Sequence, residues 1–254
     1  MATSIPPVVL ITGANQGLGY AIAEVFSQSK HPYTILIGAR NELRGKEAVS
    51  KLLPTKTHTS STISPIQIDV ASSESITSAL KTISTDYGRL DILVNNAGIF
   101  GAPGKMWNST TRPDWHAIFE VNVFGAVELI ESAFPLLRKA ESPRVIVVTS
   151  NMGSITKVAN GHVPCGAVGA YYSASKAAIN AMVANWSQTH KDIKFWAACP
   201  GLVATEFGGD FTKQHGRDPK DAADVVRKCA EGEKEDVVGL MVWDQDGKSG
   251  MYEW

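Results

Sequence analysis

Tyr172 and Lys176 stand four residues apart in a segment of helical period, so their side chains share one face. A phenol beside an ammonium can give a proton to a carbonyl oxygen or take one from an alcohol. Free tyrosine ionises near pH 10, a poor match to neutral operation. A neighbouring ammonium favours the phenolate, and lowering the pKa by about three units takes on the order of 4 kcal/mol of differential interaction. The spacing decides little without its company. Ser150 ends an apolar strand upstream and offers a hydroxyl to developing negative charge. Near the start of the chain, Thr12-Gly13-Ala14-Asn15-Gln16-Gly17-Leu18-Gly19 joins the first apolar run to the first helical segment. Glycine there permits positive φ and lets backbone approach a pyrophosphate, while the unpaired N–H groups of a helix start face the anion.

The elements that must position these groups read as alternating strands and helices. Strands are expected at 8–11, 34–39, 66–68, 92–94, 145–149, 193–197 and 239–242. Helices are expected at 18–29, 42–53, 73–86, 114–139, 172–190 and 219–229, with 55–64 a loop. Strands apolar throughout are buried on both faces, and alternation with helices makes the sheet parallel. The fold class is therefore α/β, a single doubly wound domain of about seven strands with helices on both faces. Ligands of such folds sit at the carboxyl ends of the strands, where the groups above fall.

Composition narrows the field. The 254 residues carry 24 basic and 25 acidic side chains, 44% hydrophobic residues and 19% charged. That balance argues against a nucleic-acid binder, and no apolar run is long enough for a membrane span. Cys165, Cys199 and Cys229 form no CxxC pair and no metal-ligand cluster, so no metal is expected. They read as buried, reduced thiols of a cytoplasmic protein. Asn108-Ser109-Thr110 and Asn185-Trp186-Ser187 fit the glycosylation triplet by chance in that setting.

The spacing Gly13, Gly17, Gly19 is TGxxxGxG, and with it the chain resembles the short-chain dehydrogenase/reductase superfamily almost end to end. Further matches are Asp69-Val70, Asn95-Asn96-Ala97-Gly98, Asn122, Ser150, Tyr172-x-x-x-Lys176 and Pro200-Gly201. The second strand ends Ile37-Gly38-Ala39-Arg40 with no carboxylate, so Arg40, joined by Arg44, would pair with a 2′-phosphate, making NADP(H) the expected cofactor. Gln16 stands where the similar NADPH-dependent carbonyl reductases often carry a basic residue. The resemblance implies more. Gly13, Asn15, Gln16, Gly17, Leu18 and Gly19 would hold the pyrophosphate, and Asp69 the adenine amino group, with Val70 beside the ring. Asn96, Ala97 and Gly98 would line the ribose, which Lys176 would also hold. Thr205, in the run from Pro200 and Gly201 through Val203, would reach the carboxamide. Asn122 would fix a water linking Lys176 to solvent, or else simply cap or bend its helix; for Asp69 the alternative is a helix cap.

The expected activity is NADPH-dependent reduction of a small-molecule ketone or aldehyde, with Tyr172 as proton donor, in a homo-oligomer (a dimer or tetramer). Oxidation of an alcohol, a redox-neutral use of the site and a sensor without turnover are the rivals. Twenty-one residues separate Ser150 from Tyr172, more than the dozen or so common in the family, and include His162. Three short pieces are left to recognise substrate: 100–113, 151–171 and 206–218, the last placed like a mobile lid. Trp107, Trp115, Phe207 and Phe211 either line the pocket or simply pack; Tyr171 reads as packing.

Overall fold

The computed structural model describes residues 5–101, 111–163, 166–245 and 247–254. Its strands are β1 (Val8–Ile11), β2 (Thr34–Ala39), β3 (Thr62–Gln67), β4 (Ile92–Asn95), β5 (Arg144–Val148), β6 (Lys194–Cys199), β7 (Met241–Gln245) and β8 (Lys248–Tyr252). Its helices are α1 (Gly17–Ser27), α2 (Glu42–Leu52), α3 (Ser73–Asp86), α4 (Arg112–Phe119), α5 (Gly125–Leu137), α6 (Ile155–Ala159), α7 (Ala167–Thr189), α8 (Gly209–His215) and α9 (Pro219–Ala230). The strands form one sheet in the order β3-β2-β1-β4-β5-β6-β7-β8, parallel up to β7, with β8 antiparallel at the edge. Strand order reverses between β1 and β4, which opens a crevice at their carboxyl ends.

Alternation within each strand feeds two cores. Val8, Leu10, Leu93, Val145 and Phe195 face α3, α5 and α7, while Val9, Ile11, Val94, Ile146 and Trp196 face α1, α2 and α9. The sheet is a single Rossmann-like α/β domain. Cys199 and Cys229 are buried free thiols; Cys165, Trp107 and the triplet at Asn108 lie outside the described residues.

Several expectations need correction. β3 begins at Thr62, inside the expected loop. It is the sheet edge and half exposed, so it alternates instead of reading as an apolar run, and Pro65 is tolerated there. An eighth strand was not expected, because Lys248–Tyr252 is mostly polar. The intervening Asp246-Gly247 is the two-residue hairpin signature that would have found it. α7 starts at Ala167, five residues before Tyr172, so the Tyr/Lys pair lies in its second and third turns and away from its positive end. The stretch 206–218 is largely helical; Gly209 takes a φ of 70°, and a Cβ on Gly216 would come within 2.3 Å of the Ala204 nitrogen.

The expected 114–139 helix is broken by a π turn over Glu120–Phe124, a device common at functional sites. Just past it, Gly125 rides against the end of β3's connection: a Cβ there would lie 1.9 Å from the carbonyl oxygen of Val70. Alanine gains about 1 kcal/mol over glycine in a helix interior, whereas a clash with backbone costs about 1–3 kcal/mol or more. Gly125→Ala should therefore lower Tm by several degrees in a thermal melt. An unchanged or raised Tm would mean that the π turn does not press α5 onto Val70.

Candidate active site

The glycine turn is built by exclusion. Gly13 and Gly17 have φ of 64° and 56°, in the region that favours glycine. Gly19 is held by contact instead: a Cβ would fall 2.4 Å from the Gly13 carbonyl oxygen and 2.5 Å from Asn96 Nδ2. Asn96 stitches the turn, donating through Nδ2 to the Thr12 carbonyl at 2.8 Å. Thr12 Oγ1 in turn accepts the N–H groups of Asn96 and Ala97 at 3.0 and 2.9 Å. Gln16 is the exposed N-cap of α1 and makes no side-chain bond to the helix amides. Asn15 and Leu18 flank it, half-buried. Thr205 faces the turn from the other side, its Cβ 3.6 Å from where a Cβ on Gly17 would stand. Pro200 is buried, Gly201 has φ of 76°, and Val203 bridges to Arg217, which holds the start of this segment.

At the end of β2, Arg40 and Arg44 are both exposed, and Asn41 between them caps α2 by accepting the Arg44 N–H at 3.0 Å. Asp69 does not cap the following helix; Ser72 does, accepting the Ser75 N–H at 3.2 Å. Asp69 instead bonds the Ala71 N–H through Oδ1 at 3.0 Å, with Val70 buried beside it.

The structure brings Ser150, Tyr172 and Lys176 together below this cradle. Ser150 lies beside the Tyr172 phenol and favours its charged form. Burial raises the pKa of Tyr172 above the ordinary tyrosine value, Cys199 adds to the rise, and Ser150 opposes it. Lys176 is not among the groups that shift the Tyr172 phenol. Lys176 donates to the Val148 carbonyl at 2.9 Å and stands 5.8 Å from the centre of the Tyr172 ring. Burial pushes the Lys176 ammonium itself down to about 8, with Cys199 opposing. Asn122 is buried in the π turn, and its amide is bonded within the protein at both ends. Oδ1 accepts the Ile99 N–H at 2.8 Å; Nδ2 donates to the Ile99 carbonyl at 2.9 Å and to Ser175 Oγ at 3.1 Å. It thus clamps the residue after Gly98, where a Cβ would lie 3.7 Å from Lys176 Nζ.

Aromatic side chains wall the hydroxyl. Phe100 and Phe207 lie 4.7 and 6.0 Å from the Tyr172 ring, centre to centre. Trp115 packs on Tyr171, which is buried, and Phe211 stacks on His215 away from this cluster. His162 is exposed on the loop.

Two residues here were missed. Asn180 lies one turn beyond Lys176 on the same helix face. Its Oδ1 accepts from Thr149 Oγ1 at 2.6 Å and its Nδ2 donates to the Gly153 carbonyl at 3.2 Å, pinning the Ser150 turn on both sides. The signal was a polar residue continuing the Tyr172–Lys176 stripe at the helical interval. Cys199 is more than a small buried side chain: its sulfur accepts the Asn151 N–H at 3.1 Å, tying the Ser150 turn to the Pro200 turn that follows it.

A model of the short chain dehydrogenase family matches residues 7–216. The short-chain dehydrogenase anuI of Penicillium roqueforti is 36% identical over 256 residues, covering 97% of each chain. The short-chain dehydrogenase/reductase tropE of Talaromyces stipitatus is 33% identical over 260 residues, covering 95% of this chain and 97% of its own. In fold, the chain is similar to an alcohol dehydrogenase from the archaeon Thermococcus sibiricus complexed with 5-hydroxy-NADP: TM-score 0.77, 24% identity, 97% of this chain and 99% of the other. The chain belongs to the short-chain dehydrogenase/reductase family, whose chemistry is oxidoreduction at CH–OH and C=O groups with a nicotinamide cofactor.

Proposed function

We propose that this protein reduces a ketone or aldehyde to an alcohol with NADPH, Tyr172 giving the proton. The observation that carries the reading is the buried phenol of Tyr172, kept protonated by burial beside Ser150 at the foot of the cradle. A protonated acid is what reduction consumes; oxidation would need the phenolate, which burial disfavours. The turn supports this reading: Gly13 and Gly17 take positive φ, Gly19 packs directly on the Gly13 carbonyl, and the start of α1 presents amides with no side-chain cap. Asn15, Gln16 and Leu18 would complete the pyrophosphate site. Arg40 and Arg44 would take the 2′-phosphate, Asp69 and Val70 the adenine, Asn96, Ala97 and Gly98 the ribose, and Thr205, with Pro200, Gly201 and Val203, the carboxamide. The archaeal alcohol dehydrogenase of like fold holds an NADP derivative, which is consistent with this.

Bound NADPH supplies the hydride. Ser150 donates to the carbonyl oxygen, and Tyr172 releases its phenolic proton to the alkoxide. Lys176, titrating near neutrality, would hold the ribose hydroxyls and return a proton from solvent. Asn122 is a positioning residue, fixing the 98–99 turn beside Lys176. Phe100 and Phe207 would seat a carbonyl carried on an apolar body.

Tyr172→Phe should lower kcat by about 10²–10⁴-fold, the range for general acid catalysis, while NADPH binding followed by fluorescence stays intact. Turnover near wild type would overturn the mechanism. Arg40→Asp should raise the Kd for NADPH about 10–100-fold, the equivalent of losing one charge-assisted hydrogen bond, and bring NADH into use. NADPH affinity unchanged by that substitution would refute the 2′-phosphate site.

The lowered Lys176 pKa also has a consequence for stability. The unfolded chain holds this proton up to about 10.4, the folded protein only to about 8. Between those values the unfolded state binds more protons, so this lysine's penalty is full below about 8 and relieved as pH rises, by up to about 3 kcal/mol. Denaturant unfolding of wild type and Lys176→Met between pH 7 and 10 should show the wild type gaining relative to the variant. A constant difference would contradict the desolvated ammonium.

A further inference from the structure

α6 lies in the run between Ser150 and Tyr172 that is longer than the family norm, and it is poorly anchored by packing. It has five residues, too few to hold a helix alone, and none of them is buried. Ile155 is 67% exposed. Ile155 and Val158 line a shallow, solvent-open pocket of about 180 Å³ with Ala174 and Ala177 of α7. Among the described residues, α6 and its N-cap are bonded to the two residues that follow β8. Ser154 Oγ donates to the Glu253 carbonyl at 2.5 Å. Thr156 donates to the Trp254 carbonyl twice, through N–H at 3.1 Å and Oγ1 at 2.9 Å. Lys157 Nζ sits 4.4 Å from the centre of the Tyr252 ring. The latch has a rigid base, because β8 is paired along its length to β7 and Tyr252 stacks on Trp243 at 5.7 Å.

We infer that residues 252–254 are a positioning latch: they set α6, and through the short Met152–Ser154 link the Ser150 turn and the substrate-side wall. Glu253 and Trp254 accept these bonds through main-chain carbonyls, so the latch tolerates different side chains at the acceptors. It depends on donors at Ser154 and Thr156 and on a β8 long enough to reach them. The cofactor cradle, at the far side of the sheet's switch point, is independent of it. The kinetic arm of the test rests on the reductase reading; the exchange arm does not.

Two variants separate the possibilities: Thr156→Val, which deletes one bond, and a chain ending at Tyr252, which deletes the acceptors. Hydrogen exchange read by mass spectrometry should show amides of 156–162 exchanging at least about tenfold faster in the shortened chain and less so in Thr156→Val, with β5 and the core of α7 unchanged. With an apolar ketone and NADPH, KM for the ketone should rise several-fold while KM for NADPH holds. Unchanged exchange at 156–162 would overturn the latch. Faster exchange with an unmoved ketone KM would overturn its effect on the substrate side. If wild type turns over no carbonyl with NADPH, the functional reading fails while the exchange result still decides the latch. Thr156→Val guards against the shortened chain failing to fold.

Discussion

Withdrawal of Tyr172 and Lys176 from water is the constraint to which the rest of this molecule answers. A desolvated phenol holds its proton and a desolvated ammonium lets its proton go, so two groups that titrate close together in water are driven apart on the pH scale. Such a pair is tolerated only if its polar atoms are bonded. The Val148 carbonyl takes the ammonium, and Ser150 stands beside the phenol. Both partners lie at the carboxyl end of β5, so that strand must stop where α7 crosses it.

That requirement propagates. α7 has to be apolar enough to lie on the sheet and yet bring Tyr172, Lys176 and Asn180 to bear on one strand end. Asn180 grips Thr149 and Gly153, and Gly153 in turn cannot carry a side chain, because a Cβ would press to 2.8 Å on Lys176. Asn122 makes the parallel adjustment from the other side, where one π turn buries its amide against Ile99. The cradle is assembled in the same manner, by Thr12 and Asn96 reaching between neighbouring strand ends. Positions that look like separate motifs in the chain are thus bonded to one another across adjacent carboxyl termini.

Much of this was legible beforehand for physical reasons. Val8–Ile11 and Thr34–Ala39 are buried on both faces, so their composition alone marks them as central strands. The glycines at 13, 17 and 19 were readable because backbone conformation and approach leave no other residue. Ser150 and the Tyr172/Lys176 pair were readable because their chemistry limits the residue types. The half-exposed edge strands β3 and β8 were harder, since one face answers to water. The early start of α7 was hidden because Gly166 and the alanine-rich run after it carry no strong helix-start signal. Helical spacing brings Tyr172 and Lys176 to one face but carries no sign that burial dominates at the phenol or that the ammonium points at a carbonyl. The link from Ser154 and Thr156 to residues 253 and 254 spans nearly a hundred positions, and main-chain acceptors leave no mark in side-chain identity.

The central claim is therefore that burial, not charge, sets the state of Tyr172. The direct measurement is a pH titration by NMR with tyrosine labelled at the ring carbon bearing oxygen, the Tyr172 resonance being assigned by its absence in Tyr172→Phe. The account predicts that this resonance stays at its phenol position through pH 10, where free tyrosine is half ionised. A midpoint below 10 would show that Lys176 activates the phenolate after all, and would contradict the account.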